Sequence, residues 1–110
     1  MNDKQYSGGF KDLNVWKEAR IFKNEISILC KTFPKDENFR LIDQLKRASR
    51  SITANIAEGY GRYHFQENIQ FCRQARGSLM ECLDHLICVS DELYITKDQL
   101  DSLEKDYQKK

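Results

Sequence analysis

The chain has 110 residues, a length that accommodates one globular domain but not two, and a domain of this size can bury enough surface to fold without disulfide bonds. Hydrophobic residues make up 40% of the sequence and charged residues 32%, a mixture that excludes an intrinsically disordered chain. The net charge is only +1, so any surface for a polyanion must come from an uneven distribution of charge.

The N-terminal segment carries no recognisable targeting signal. Residues 1–11 are mostly polar and contain the pair Gly8-Gly9, which is typical of a flexible lead-in to a domain that occupies residues 12–110. No apolar run approaches the roughly 20 residues that a membrane-spanning helix needs. The four cysteines form no Cys-x-x-Cys motif, so we expect reduced thiols and a cytoplasmic protein.

A first helix is predicted over residues 13–32. Its apolar residues recur every three or four positions from Leu13, which is the spacing of one face of an α-helix. Asp12 is the candidate N-cap, because its side-chain oxygen can accept hydrogen bonds from the first free amides. Pro34 ends this helix, because the residue before a proline is driven out of the helical region.

A second helix is predicted over residues 39–58, with Asn38 as its candidate N-cap. Asn55 lies on the apolar stripe of this helix. We interpret it as a buried polar residue that fixes the helix register, with a ligand-binding role as the alternative. The sequence Gly59-Tyr60-Gly61 ends the helix, since glycine adopts the left-handed cap conformation without steric cost.

The third helix is the longest and is predicted over residues 64–93. Its core seam is expected to follow an apolar repeat of seven residues, with further seam positions in between. The repeat comprises Phe65, Cys72, Leu79, Leu86 and Leu93, and the residues between them are Ala75, Cys82 and Val89. A fourth helix over residues 97–109 opens with a capping box formed by Thr96 and Gln99.

Four helices with short connections, and no segment of alternating hydrophobicity, predict an all-α, antiparallel up-down four-helix bundle. Because the fourth helix is short, we expect part of the C-terminal half of the third helix to be uncovered. Some apolar residues, including Ile21 and Ile28, lie off the main stripes. A wide apolar arc occurs in ordinary bundles, but it also suits an oligomer of bundles, so we expect self-association.

Basic residues are concentrated in the middle of the chain. Residues 44–76 carry six basic and two acidic side chains, whereas residues 77–110 carry four basic and eight acidic ones. The six basic residues are Lys46, Arg47, Arg50, Arg62, Arg73 and Arg76. Either the two segments neutralise each other across the bundle, or the basic segment forms a surface for a polyanion.

The spacing of acidic residues distinguishes among these cations. Arg47 can pair with Asp43, which lies one helical turn before it. Arg50, Arg73 and Arg76 have no acidic residue three or four positions away in either direction. These three arginines must therefore find acidic side chains on other helices, water, or an external anion such as a nucleic-acid phosphate.

The sequence lacks the residue spacings of common enzyme centres. A di-iron bundle needs two Glu-x-x-His motifs, whereas Glu81 and His85 are four residues apart and no second pair exists. Cys82, His85 and Cys88 spread around one helix, and a structural zinc site needs four ligands. We therefore expect no catalytic residues, no metal and no cofactor.

Three stretches of the sequence resemble a known family. Residues 44–59 (QLKRASRSITANIAEG) carry most of the likeness, and residues 10–17 (FKDLNVWK) and 75–81 (ARGSLME) fit the same pattern. They resemble the "four helix bundle protein" family, which includes proteins encoded in intervening sequences of bacterial 23S ribosomal RNA genes. The chain is also similar to the accessory variability protein of diversity-generating retroelements.

The resemblance implies a bundle without catalytic activity that assembles as a homopentamer. For the retroelement branch, it also implies a basic surface that engages nucleic acid and a reverse transcriptase. Carried onto this sequence, the candidate nucleic-acid-binding residues are Lys46, Arg47, Arg50, Arg62, Arg73 and Arg76. We therefore expect a homo-oligomeric bundle that binds RNA or DNA through phosphate contacts. The alternative is a protein-interaction scaffold, for example an accessory protein of a reverse transcriptase, without direct nucleic-acid binding.

Overall fold

The computed structural model describes residues 9–62 and 64–108, and these residues form four α-helices and no β-strand. The helices are α1 (Asn14–Cys30), α2 (Leu41–Tyr60), α3 (Phe65–Asp91) and α4 (Lys97–Gln108). Helix α2 packs against both α1 and α3, and α4 packs against α3. The structure confirms the predicted all-α four-helix bundle.

Two short 3-10 turns precede helices, Gly9–Asp12 before α1 and Lys35–Glu37 before α2. Residues 1–8 of the predicted flexible lead-in lie outside the described residues, as does Lys109 at the predicted end of the fourth helix. The last residues of that lead-in belong to the first 3-10 turn. There the ring of Phe10 meets the ring of Trp16 edge-on, at 5.1 Å between centroids.

The core runs along the length of the bundle. Its largest fully buried apolar side chains are Phe22 and Ile26 of α1, Leu45 of α2, and Leu86 and Val89 of α3. These residues occupy the helical stripes that the sequence predicts, and burying a side chain of this size stabilises the fold by about 1.5–3 kcal/mol.

The predicted N-caps of α1 and α2 are wrong. The cap positions are Leu13 and Arg40, and neither makes a side-chain capping hydrogen bond. Asp12 belongs to the 3-10 turn before α1, and Asn38 has helical backbone angles after the turn before α2. The turns therefore displace the caps by one or two residues, and backbone hydrogen bonds within the turns replace side-chain capping.

The predicted capping box of α4 is confirmed. The backbone N–H of Gln99 donates to Thr96 Oγ1 at 3.1 Å, and the backbone N–H of Thr96 donates to Gln99 Oε1 at 2.8 Å. The two hydrogen bonds satisfy free amides at the start of the helix.

The glycines at the end of α2 serve a different purpose from the one predicted. Gly61 follows the helix with φ −75°, in the right-handed region, so the predicted left-handed cap is wrong. Gly59 lies inside the helix and is buried. A Cβ at this position would lie 2.9 Å from Cβ of Phe71 and 3.2 Å from Oδ1 of Asn68, both on α3. Gly59 therefore permits the close approach of α2 and α3.

The predicted seam of α3 is correct in its middle and wrong at its ends. Leu79 and Leu86 are buried, whereas Phe65 is 78% exposed, Cys72 is exposed, and Leu93 is 86% exposed. Leu93 lies beyond the end of α3.

Helix α4 covers the half of α3 opposite to the half that we expected. The connection of residues 92–96 is short, so α4 folds back directly along the C-terminal half of α3, where Leu103 joins the core. With 12 residues α4 is about 18 Å long, against about 40 Å for the 27 residues of α3. The N-terminal half of α3 is therefore the half without a fourth helix beside it.

Candidate nucleic-acid interface and open groove

Arg47 is held by an acidic neighbour on its own helix. Its Nε lies 3.1 Å from Oδ2 of Asp43, one turn earlier on α2, which confirms the predicted pairing. Both side chains are largely solvent-exposed, so the pair contributes little to stability and can exchange its partner.

Arg62 connects the end of α2 with the start of α3. Its Nη2 lies 3.0 Å from Oε2 of Glu58, and its Nη1 lies 3.6 Å from Oε2 of Glu67. The guanidinium group also lies over the ring of Phe71, 5.3 Å from the centroid. Arg62 therefore pairs with one glutamate of α2 and one of α3.

Lys46 is half-buried on the side of α2 that faces α1. Burial raises the pKa of the Cys30 thiol on α1, and the nearby Lys46 ammonium group acts in the opposite direction. Lys46 is therefore close enough to α1 for its charge to act on Cys30, and it is less exposed than the arginines of α2.

The remaining three candidates have no acidic partner among the described residues. Arg50 of α2 and Arg73 and Arg76 of α3 are exposed, and none forms an ion pair with any described residue. Arg73 and Arg76 lie one helical turn apart and line the same groove, whereas Arg50 does not. The structure therefore brings two of the six predicted residues together and distributes the other four over α2 and the α2–α3 connection.

Among the described side chains, no ion pair connects the basic segment with the acidic segment. Within residues 9–62 and 64–105, no ion pair joins residues 44–76 to residues 77–110. Oε2 of Glu81, in the acidic segment, lies 3.3 Å from Nε2 of His85 on its own helix. The guanidinium groups of Arg73 and Arg76 are thus available to an external anion.

A polar link between α2 and α3 was missed from the sequence. Ser78 Oγ of α3 donates to Ser51 Oγ of α2 at 2.9 Å. Asn55 is half-buried, and its side-chain amide donates to the carbonyl oxygen and to Oγ of Ser51 at 2.8 and 3.0 Å. Asn55 is therefore connected to α3 through Ser51, and its register role stays a prediction; the small polar residues at the edges of the two stripes were the available signal for the link.

The four cysteine thiols differ in their exposure to solvent. Cys30 and Cys82 are buried, whereas Cys72 and Cys88 are exposed. Burial, followed by the charges of Glu81 and the neighbouring Cys30, raises the pKa of Cys82 to about 12. Among the described residues, no group of three or more histidine, cysteine or acidic side chains could hold a metal ion.

An apolar groove of about 840 Å³ lies between α1 and α3 and is closed underneath by α2. We call it the open groove. Its apolar lining includes Phe22 of α1, Ile52 and Ile56 of α2, and Ile69 and Leu79 of α3. Phe65 and Cys72, the two residues at the start of the predicted seam, also line it. Their exposure therefore results from the missing cover over this half of α3.

The fold and this surface define a small helical bundle with an apolar groove, beside arginines that form no ion pair with a described residue. None of the described helices is both long and apolar enough to cross a membrane. The chain belongs to the family of 23S rRNA-intervening sequence proteins, whose family model matches residues 11–110. This match confirms the resemblance to the family of proteins from 23S ribosomal RNA intervening sequences. No curated protein matches the chain significantly.

Proposed function

We propose that the protein is a non-enzymatic, homo-oligomeric bundle that binds RNA or DNA in the cytoplasm through phosphate contacts. The observation that carries this proposal is the exposure of Arg50, Arg73 and Arg76 without an ion-pair partner among the described residues. Arginine forms strong, charge-assisted hydrogen bonds with phosphate oxygens. The description of the family, 23S rRNA-intervening sequence protein, is compatible with a role involving RNA.

The other three candidate residues are expected to contribute less to phosphate binding. Arg47 and Arg62 already pair with carboxylates, so a phosphate must displace or share those contacts. Lys46 is half-buried and therefore less accessible to a phosphate than the exposed arginines. Phosphate contacts fix the position of a nucleic acid without reading its bases, so we expect little dependence on sequence.

Self-association is supported by apolar side chains on the outside of the bundle. Ile21 and Ile28 of α1 are 60% and 64% exposed, and Phe39 in the α1–α2 connection is 93% exposed. The family resemblance implies a pentamer, whose mass would be five times 13.0 kDa, or about 65 kDa. Light scattering on the eluting peak of a sizing column measures this mass, and a monomer at all concentrations would exclude the oligomer.

A fluorescence-anisotropy titration tests nucleic-acid binding. Structured RNA and duplex DNA are titrated at low and moderate salt with the wild type and with the Arg50→Glu/Arg73→Glu/Arg76→Glu variant. The control is the Lys17→Glu/Lys35→Glu/Lys97→Glu variant, which makes the same charge change at exposed positions outside residues 44–76. We expect the arginine variant to bind at least about tenfold more weakly and the lysine variant to keep most of its affinity. Equal affinities of the two variants, or no binding by the wild type at low salt, would contradict the proposal.

The second candidate function is a protein-interaction scaffold, for example an accessory protein of a reverse transcriptase. The open groove favours it, because monomeric proteins rarely leave a large apolar surface uncovered. A purified reverse transcriptase that binds the wild type and the triple arginine variant equally, while nucleic acid binds neither, would favour the scaffold over the nucleic-acid-binding function.

A further inference from the structure

The α3 wall of the open groove carries an aromatic ring and two cationic groups on one face of the helix. Phe65, Arg73 and Arg76 all line the groove, at separations of eight and three residues, which are close to whole numbers of helical turns. Phe65 lies about 12 Å before Arg73 along the helix axis. A ligand that follows this wall therefore meets first a ring and then two guanidinium groups.

These groups are accessible to a ligand from solvent. Phe65 is 78% exposed, and Tyr60 of α2, which also lines the groove, is 37% exposed. Arg73 and Arg76 are exposed, and no acidic side chain of the described residues lines the groove with them. Proteins bind single-stranded nucleic acid by this combination, because bases stack on aromatic rings while phosphates contact the cationic groups.

A duplex cannot use the aromatic and apolar part of this surface. The faces of paired bases are stacked on one another, and only the edges of the bases are accessible in the grooves of a duplex. In an unpaired strand the faces of the bases are free to stack on side chains. A strand with phosphates at Arg73 and Arg76 can therefore place bases on the groove lining only where those bases are unpaired.

We infer that the nucleic acid is single-stranded where it crosses the open groove, with phosphates on Arg73 and Arg76 and unpaired bases on Phe65 and the apolar lining. This inference rests on the proposed nucleic-acid binding and specifies the form of nucleic acid that the groove takes. The wall from Phe65 to Met80 is about 22 Å long, the length of about six stacked nucleotides. Asn68, half-buried in the lining, supplies an amide that can hydrogen-bond to the edge of a base.

Two exposed cysteines report where the strand lies. Cys72 lines the groove, and Cys88 is exposed 16 positions further along α3, about 24 Å away. Alkylation of the native protein, read for each cysteine by peptide mass spectrometry, measures occupancy of the groove at Cys72, with Cys88 as the internal control.

The probes are oligothymidylate of 20 nucleotides and the same strand annealed to oligoadenylate, each at a saturating concentration in low salt. We expect the single strand to slow alkylation of Cys72 at least about fivefold without changing Cys88, and the duplex to slow it less than about twofold. The duplex places phosphates at the same arginines, so it controls for the effect of charge on thiol reactivity. Oligouridylate of the same length, measured in parallel, distinguishes RNA from DNA.

The Phe65→Ala variant separates base stacking from phosphate contacts. It should bind the single strand at least about fivefold more weakly and the duplex unchanged, with the same slope of log Kobs against log salt concentration, because no phosphate contact is removed. Arg73→Ala/Arg76→Ala should instead reduce that slope for the single strand by about 1.4. Phe39→Ala removes another exposed phenylalanine, outside the groove, and should change neither quantity.

Several outcomes would overturn the inference. Equal protection of Cys72 by the single strand and the duplex, or unchanged single-strand affinity of Phe65→Ala, would overturn it and leave phosphate binding standing. No binding of any probe by the wild type would overturn the proposed function as well. Slow alkylation of Cys72 in the free protein that becomes fast on dilution would show that a second copy covers the groove. Circular dichroism of each variant verifies that the helices are intact.

Discussion

At the end of α3, Leu93 has a left-handed backbone conformation, with φ of 64°. The N–H of Tyr94 donates to the carbonyl oxygen of Val89 at 3.1 Å, the hydrogen bond that closes a Schellman motif, and glycine is the usual residue at the left-handed position. A residue with a Cβ loses about 1–2 kcal/mol in this conformation. The side chain of Leu93 is 86% exposed, so its packing offsets little of this conformational cost.

Replacement of Leu93 with glycine should therefore stabilise the protein. The relief of strain exceeds the extra chain entropy that glycine gives to the unfolded state, about 0.5–1 kcal/mol, so we expect a net gain of roughly 0.5–1 kcal/mol in the free energy of unfolding. Urea denaturation measures this change in the free energy of unfolding. Leu93→Ala keeps a Cβ and should not produce the gain, and equal effects of the two substitutions would contradict the explanation.

Tyr94 links the α3–α4 connection to the α1–α2 connection by a hydrogen bond. Its hydroxyl donates to Oε2 of the buried Glu37 at 2.8 Å, and Arg40 lies 3.5 Å from the other carboxylate oxygen. The hydrogen bond to Glu37 is the chief reason why the pKa of Tyr94 is raised from 10.0 to about 12. Because the folded state prefers the neutral phenol, this stabilisation is complete below pH 10 and is lost as the pH rises from 10 to 12.

Removal of this hydroxyl should change the pH dependence of stability. Tyr94→Phe should lower Tm at neutral pH, because Glu37 loses a hydrogen-bond donor, and the variant should lose less Tm than the wild type between pH 10 and 12. The raised pKa of the buried Cys82 destabilises both proteins as the pH rises above 9, so the difference between their Tm curves is the relevant quantity. Parallel curves across this range would contradict the role assigned to Tyr94.

At the scale of the elements, the contact between α2 and α3 depends on Gly59. Alanine favours a helix over glycine by about 1 kcal/mol, but a Cβ at position 59 would lie 2.9 Å from Cβ of Phe71. Gly77 of α3 is the matched control, because a Cβ there would have no neighbouring atom within 4 Å. Substitutions at these two glycines therefore distinguish the effect of helix propensity from the effect of packing between helices.

Alanine at these two positions should have opposite effects. Gly59→Ala should destabilise the protein by about 1–3 kcal/mol, because the helices must separate or the side chains of α3 must shift. Gly77→Ala should stabilise it by up to about 1 kcal/mol. Urea denaturation of both variants measures the free energies of unfolding, and stabilisation by both substitutions would show that α2 and α3 do not approach closely at Gly59.

Features of the helices could be predicted from the sequence where they depend on residues that are close together in the chain. Helical periodicity, the capping box at Thr96 and the pairing of Arg47 with Asp43 depend on residues one turn apart, and all three are confirmed. The N-caps at Asp12 and Asn38 were mispredicted, because a 3-10 turn precedes each helix and moves its first residue further along the chain. Burial of Phe65 and Cys72 was mispredicted, because it depends on cover from another helix.

At the scale of the whole molecule, the candidate site could be predicted only in part. Sequence spacing identified the three arginines without local acidic partners. The open groove could not be predicted, because it depends on which half of α3 is covered by α4. That choice follows from the direction in which the short connection of residues 92–96 folds back.

Nucleic-acid binding by three phosphate contacts implies a specific dependence on salt. Each phosphate that a cationic side chain neutralises in duplex DNA releases condensed counterions and contributes about 0.9 to the slope of log Kobs against log salt concentration. Arg50, Arg73 and Arg76 together should therefore account for a slope of about −2.7 per bundle. Alanine variants remove these contacts without introducing repulsive charges.

The most direct measurement compares the salt dependence of duplex DNA binding by the wild type and by the Arg50→Ala/Arg73→Ala/Arg76→Ala variant. If the three arginines contact phosphates, the slope of the variant should be shallower by about 2.7, and its affinity should be lower at every salt concentration where binding is measurable. The same slope and affinity for both proteins would show that the three arginines do not bind phosphate, and would contradict the account of this surface as a nucleic-acid interface.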